Sequence, residues 1–273
     1  WRLILICTCL IFSIVAVSYK VISVQIEDSL FLKNEGKKRY IKYRTINPVR
    51  GTIYDRNNTP LAVSIVNYDL YALSGLNTNR YLKLKDAISI QDDILIDGSF
   101  SQKTLLKKGL TLDEQKTINE LHFNNIEIEI RHSRHYPLGD QIAPLIGFYG
   151  KDRAQEGIEK SYDSVLSGKN GKQKYYTNAK QKVISTPIEV IKTIQGQDIQ
   201  LTIDSTVQFY AYKYLVEAIT NNKAKAGTVL VFDNKKGEIL AIASYPSYNP
   251  NDPKRKIQKN RALIEAYELG SVL

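Results

Sequence analysis

The chain has 273 residues, with 38 Lys and Arg against 28 Asp and Glu, a formal charge of +10, 43% hydrophobic residues and 24% charged ones. These proportions fit one or two folded domains and exclude a disordered, collagen-like or low-complexity chain. Met is absent and residue 1 is Trp, so the sequence is expected to be part of a longer reading frame.

An uncharged apolar run, residues 3–19, opens the chain. At about 1.5 Å per residue it reaches roughly 26 Å. Lys20 can snorkel, and Val21, Ile22, Val24 and Ile26 carry the apolar character on, so one helix could cross the ~30 Å of bilayer hydrocarbon. Ala16-Val17-Ser18 offers a small-x-small cleavage site, but apolar residues continue past it; an uncleaved anchor is expected over residues 1–26. Arg2 precedes the run, whereas Lys33, Lys37, Lys38, Arg39, Lys42 and Arg44 follow it. Charge alone would therefore place the following residues in the cytoplasm, unless a basic tail precedes residue 1.

Beyond this basic segment, short strands are predicted at 45–50, 53–54, 61–67 and 68–73, divided by polar turns such as Asn57-Asn58. Thr111-x-x-Glu114 reads as a capping box opening a helix to about Phe123. Residues 126–130, Ile-Glu-Ile-Glu-Ile, alternate as a half-buried strand does. The Lys-, Asn- and Gly-rich run 168–182 is expected to be an exposed connection. A strand at 198–203 then leads to a helix marked by Asp204 and a Ser205-x-x-Gln208 box, with an apolar stripe through Val207, Tyr210, Ala211, Tyr214, Leu215 and Ala218. Two apolar runs, 228–232 and 238–244, join through a turn ending at Gly237 as a hairpin. Strand, helix and hairpin together predict a helix packed on an antiparallel sheet, an α+β arrangement.

Cys7 and Cys9 stand two apart in the apolar run and cannot face each other on a helix, and no thiol follows them. A Cys-ligated metal, a Cys nucleophile and a disulfide framework are excluded from the remainder. His132 and His135 lie in the basic string Arg131-His132-Ser133-Arg134-His135, where neighbouring cations repel a metal ion; with His122 they read as surface residues. Glycine-rich phosphate loops and the aromatic interleaving of a nucleic-acid binder do not occur, so neither cofactor nor nucleic acid is expected. The positive surplus suits anionic lipid and wall polymers.

Arg50-Gly51-x-Ile53-x-Asp55-Arg56 followed by Leu61-Ala62 resembles the opening signature of class B penicillin-binding proteins. Further strings follow in the family's order: Arg134-x-Tyr136-Pro137-x-Gly139, then Gly157-Ile158-Glu159-Lys160-Ser161-Tyr162-Asp163 with Leu166-x-Gly168. The stretch 237–252, Asn260-Arg261-Ala262 and Glu268-Leu269-Gly270-Ser271 is similar to the approach to the acylated serine of such transpeptidases. The resemblance implies a single transmembrane helix at 1–26, a β-rich pedestal of the dimerisation type at 27–182, and the beginning of an α+β serine transpeptidase domain at 183–273. It implies residence in the bacterial inner membrane with the bulk in the periplasm.

Glu268 before Leu269-Gly270-Ser271, and Asn249 within its SYNPN string, resemble the septal rather than the side-wall branch. Leu269 departs from that branch's usual Pro, and Pro144 stands where septal members often carry His. On this resemblance Ser271 is the catalytic residue of an S-x-x-K motif, in which a Lys one helical turn on takes the hydroxyl proton and backbone N–H groups hold the oxyanion. Residue 274 lies outside the sequence, as do the family's later S-x-N and K-T-G strings. Arg50, Asp55, Arg56 and Glu159 are expected to be architectural. Implied partners are peptidoglycan stem peptides, β-lactams, a lipid II-polymerising glycosyltransferase and division proteins. The alternative is a non-catalytic membrane-anchored pedestal that contacts division partners.

Overall fold

A computed structural model describes residues 1–26, 29–90, 99–123, 125–150, 153–178 and 183–266. In chain order the elements begin with α1 (Arg2–Ile26), α2 (Ser29–Tyr40), β1 (Ile41–Ile46), β2 (Ile53–Tyr54), β3 (Pro60–Ala72), α3 (Thr78–Ile88), β4 (Thr104–Lys107), α4 (Leu112–Glu120) and β5 (Ile126–His135). They continue with the short helices α5 (Ala143–Ile146), α6 (Gly157–Ser161) and α7 (Asp163–Leu166), then β6 (Gly171–Tyr176), β7 (Ile188–Ile191), β8 (Ile199–Gln200), α8 (Ser205–Asn221), β9 (Gly227–Asp233), β10 (Glu238–Tyr245) and α9 (Arg261–Ile264). Two compact units divide the chain: residues 1–48 with 169–194, and residues 49–168 with 195–273.

In the first unit, α1 is long and apolar enough to cross a membrane, and its residues as far as Ile22 are exposed. The basic segment after it forms α2, whose last turn carries Lys37, Lys38 and Arg39, where cations favour the negative end of the helix dipole. A three-stranded antiparallel sheet follows in the order β1-β6-β7, with Ile41 opposite Tyr176 and Ile46 opposite Gly171. Residues 171–176, expected to be part of an exposed connection, are instead the central strand. The polar composition misled because both faces of this small sheet are partly solvated: Lys172 lies over the Tyr43 ring at 4.7 Å and Lys174 over Tyr176 at 5.1 Å.

In the second unit, β3 is one continuous strand where two were expected. It pairs with β5 from Val63 opposite His135 to Ala72 opposite Ile126, so β5 runs on through the polar string that ends at His135. The sheet order is β4-β3-β2-β8, with β5 also on β3 and β8 parallel to β2. Helix α3 was not anticipated, although its signals are present: Asn77 Oδ1 accepts from Arg80 N at 3.0 Å, and Tyr81, Leu84 and Ile88 form its buried stripe. Helix α4 has the expected capping box, Glu114 N donating to Thr111 Oγ1 and Thr111 N to Glu114 Oε2, but ends at Glu120 rather than near Phe123.

Helix α8 starts where expected, with Asp204 Oδ1 accepting from Thr206 and Val207 N–H. The supposed box partner Gln208 does something else. Fully buried, it donates to the Gln141 and Ile242 carbonyls and accepts from Ile242 N, binding α8 to β10. Leu215 and Ile219 pack on Ala243 of the β9–β10 hairpin, giving the expected helix on antiparallel strands. Part of the expected stripe, Val207, Tyr210 and Tyr214, lines an open apolar groove of about 470 Å³ with Val229 and Val231. One core joins Ile53, Leu61, Tyr136 and Leu166 to Ile203, Ile242 and Tyr248; a second gathers Leu70, Leu76, Leu84, Phe100 and Ile118. Each such buried aliphatic side chain contributes about 1.5–3 kcal/mol.

Candidate functional site

Arg50, Arg134, Tyr136, Glu159 and Asp163, drawn from three of the sequence strings, meet in the second unit as a lattice of charged and polar side chains. Glu159, on α6, is its centre. It has no solvent exposure and accepts from Arg50 Nε at 2.7 Å on one oxygen and from Arg134 Nε at 2.7 Å on the other. Arg50 also reaches Asp163 Oδ1 at 2.6 Å and the Glu159 carbonyl at 2.9 Å, and its guanidinium lies 4.6 Å from the Tyr149 ring centre. Arg134 Nη1 donates to the Gly51 carbonyl at 2.8 Å. The Tyr136 hydroxyl donates to Glu159 at 3.3 Å and accepts from Tyr149 N at 2.7 Å. Burial, then the Glu159 charge, pushes the Tyr136 phenol far above its ordinary value, so it stays a donor.

Glycines in these strings are fixed by close approach. A Cβ on Gly51 would sit 2.0 Å from the Gln197 carbonyl oxygen; Gly157, at φ +61°, has the Leu145 carbonyl oxygen 2.4 Å from where its Cβ would be.

Asp55 belongs to a different network from Arg50. Its buried carboxylate accepts from Asn57 N and Thr59 N at 2.7 Å on one oxygen, and from Ser205 N at 3.1 Å and Ser205 Oγ at 2.7 Å on the other. Burial alone would raise its pKa, but the Ser205 hydroxyl and the Thr59, Ser205 and Asn57 amides together hold it below the ordinary value. Arg56 pairs with Glu238 at 3.3 Å. Arg50, Asp55 and Arg56, expected to be architectural and close in one sequence string, therefore serve three connections: Arg50 to α6, Asp55 to the start of α8, and Arg56 to β10.

The segment beyond β10 is tied to the same lattice. Asn251 accepts from Tyr136 N at 3.0 Å and donates to the Tyr136 carbonyl at 2.9 Å, while Asn249 Oδ1 accepts from Asn251 N. Ser247 Oγ donates to the Asp140 carbonyl, and the Tyr248 ring packs edge-on to Phe148. Pro144 stands in the first turn of α5, where no N–H is needed. Asn260, at the start of α9, takes a 3.4 Å bond from Ser244 Oγ, and Arg261 pairs with Glu265 one turn on.

Glu268, Leu269, Gly270 and the sequence-predicted nucleophile Ser271 lie outside the described residues. Within them, the carboxylates of Asp55 and Glu159 are filled by donors, and His122, His132 and His135 are exposed. Such groups hold chain segments; they do not activate a nucleophile. Asn251, Ser205 and Gln208 were missed as partners, and only the Asn249-Pro250-Asn251-Asp252 turn chemistry hinted at Asn251.

Comparison with known proteins matches this architecture. Residues 45–201 match the family described as Penicillin-binding Protein dimerisation domain, and residues 227–273 the one described as Penicillin binding protein transpeptidase domain. The chain is 32% identical over 285 residues to the probable peptidoglycan D,D-transpeptidase PbpC of Pseudomonas aeruginosa, covering 100% of this chain and 50% of that protein. It is 29% identical over 289 residues to the peptidoglycan D,D-transpeptidase FtsI of Escherichia coli, covering 100% and 49%. A solved structure described as "Structural coordination of polymerization and crosslinking by a peptidoglycan synthase complex" shares the fold, with a TM-score of 0.65, 23% identity, and 96% and 49% coverage. The chain thus belongs to the class B penicillin-binding proteins, a family of D,D-transpeptidases, and carries the dimerisation module followed by the start of the transpeptidase domain. It spans about half the length of the curated relatives it matches.

Proposed function

We propose that this chain is the front portion of a septal peptidoglycan D,D-transpeptidase. Residues 1–26 anchor it in the inner membrane, 27–182 form a periplasmic pedestal, and 183–273 begin the catalytic domain. The observation that carries the reading is the match of the whole chain to about half of FtsI, a peptidoglycan D,D-transpeptidase, on a chain headed by an apolar helix. Glu268 before Leu269-Gly270-Ser271 and Asn249 favour the septal branch. Ser271 attacks the penultimate D-alanine carbonyl of a stem peptide, the terminal D-alanine leaves, and a neighbouring amine takes the acyl group; a β-lactam acylates the same hydroxyl. The lattice around Glu159 and Asp55 contributes by fixing the segments that lead to this serine. A lipid II-polymerising glycosyltransferase and division proteins are the expected partners, in keeping with the synthase complex among the fold relatives.

The test uses the longer reading frame, tagged and expressed in cells, with and without Ser271→Ala. Labelling by fluorescent penicillin that Ser271→Ala abolishes, with the tagged protein at midcell, is expected. Labelling unchanged by the substitution would overturn the site, and uniform side-wall localisation would overturn the septal role. Loss of both would leave the non-catalytic pedestal.

A further inference from the structure

Strand β7 closes one side of the first unit's sheet, and among the described residues nothing pairs with its outer edge. Its four residues are all exposed, although three are apolar: Ile188, Val190 and Ile191 are 53–56% accessible. Edge strands usually carry a charge on the strand, a proline within it or a bulge that turns them away, because bare N–H and C=O groups beside apolar side chains recruit another strand. Here Pro187 stands just before β7, Glu189 is the one charge on it, its carboxylate taking the Thr193 N–H at 3.1 Å, and the pairing with β6 shifts register at Val190, yet the apolar side chains stay exposed.

Charge selects what can cover this edge. Residues 169–194 hold six lysines against the single Glu189. Lys172 lies opposite Ile191 and Lys174 opposite Ile188 on β6, with Lys192 directly after β7. A second copy of this strand would bring two such lysine sets together, which opposes self-pairing. An acidic segment would be drawn in, and alternating apolar residues would cover Ile188 and Val190.

We propose that the outer edge of β7 is a docking strand to which an extended, acidic and apolar segment of another protein adds as the fourth strand of the β1-β6-β7 sheet. Main-chain bonds supply the attachment, and the lysines supply the choice of partner. This deepens the partner side of the proposed function, yet its test involves no catalysis. A chain whose Ser271 never reacts would give the same result.

The experiment takes the full chain in detergent micelles and two end-blocked eight-residue peptides, one alternating valine with glutamate and one alternating valine with lysine. The acidic peptide should bind at least about ten-fold more tightly, weaken as salt is raised, and slow amide exchange at 188–191. Ile188→Ser with Val190→Ser should abolish binding while exchange in β1 and β6 is unchanged. Lys172→Glu with Lys192→Glu, both exposed positions, should reverse the preference between the peptides, which keeps the test decisive should the first pair disturb the sheet. Equal binding of both peptides, or binding without slowed exchange at 188–191, would overturn the proposal. So would protection of those amides in a peptide-free dimer, or protection produced by phosphatidylglycerol vesicles and not by the peptide.

Discussion

Replacing Glu159 by Gln removes one negative charge from between two guanidinium groups while keeping the side chain's size. The pair it abandons is buried: Arg50 is 8% and Arg134 3% accessible, and Glu159 not at all. An amide can accept on one oxygen only, so one Arg Nε then faces an NH₂ group. Removing one partner of a buried ion pair costs about 3–5 kcal/mol, mostly because the remaining charge stays desolvated. Asp163 provides the internal comparison. It bonds the same Arg50 at 2.6 Å but is 44% exposed, so Asp163→Asn should cost about 1 kcal/mol or less. Native-state hydrogen exchange on β2, β3 and β5 in the detergent-solubilised chain reads the difference. At 1.4 kcal/mol per power of ten, Glu159→Gln should accelerate the slowest amides by about two to three and a half powers of ten, and Asp163→Asn by less than one. Equal effects would refute the reasoning, showing that the backbone carbonyls of Glu159 and Gly51 suffice to hold both arginines.

Asp55 gives a pH signature. Its carboxylate is held below its ordinary pKa, so the stability it contributes is complete above about pH 4, the unfolded value, and is lost as pH falls through the lower folded value. Asp55→Asn should cost about 1–3 kcal/mol at pH 7 through unsatisfied Ser205, Asn57 and Thr59 donors, with the gap in denaturation midpoint closing below about pH 4; a gap of equal size at pH 3 and pH 7 would contradict this. Alkaline phosphatase fused after Leu273 should be active in cells, and an inactive but stable fusion would reverse the proposed topology. The 273-residue chain, which lacks position 274 and the later strings, should acylate with labelled penicillin about 10³-fold or more slowly than the longer reading frame. Ready labelling of Ser271 in the short chain would show that its activation does not depend on them.

Local chemistry carried most of the readable fold. The capping box at Thr111 and Glu114, the Asp204 cap and the 228–244 hairpin depend on neighbours within a few residues, and all three form. Helix α3 is equally local, but the exposed Leu82 beside Asn79, Arg80, Lys83 and Asp86 blurs the Tyr81, Leu84 and Ile88 spacing. Strand β6 was lost for the opposite reason. Its Lys172, Lys174 and Gln173 sit in the middle of a sheet, where composition predicts a loop; what makes them a strand is pairing with β1, some 130 residues earlier, and with β7. Gln208 shows the same limit within a helix. Its position three residues after Ser205 fits a capping box, but two buried backbone groups of Ile242 offered better partners.

The motif strings were legible as a family signature, whereas their geometry was not, and one physical circumstance accounts for both. A carboxylate with no solvent has room for two guanidinium groups on its two oxygens, and almost no other residue types satisfy that arrangement. Glu159 therefore constrains Arg50, 109 positions earlier, and Arg134, 25 positions earlier. Each string then shows a recognisable residue in isolation, while nothing local announces which string meets which. Asp55 is the sharper case: expected only to be architectural, it is buried and accepts from the first residue of a helix that starts 150 residues later. The connection has a consequence for the transpeptidase segment. Helix α8 is held at its first turn by Asp55 and at Gln208 by β10, so its start is set jointly by the dimerisation module and the sheet on which it packs. A substitution at Asp55 should therefore loosen amides at the start of α8, around Ser205 and Gln208, before those of β4 and α3, which lie around the other core.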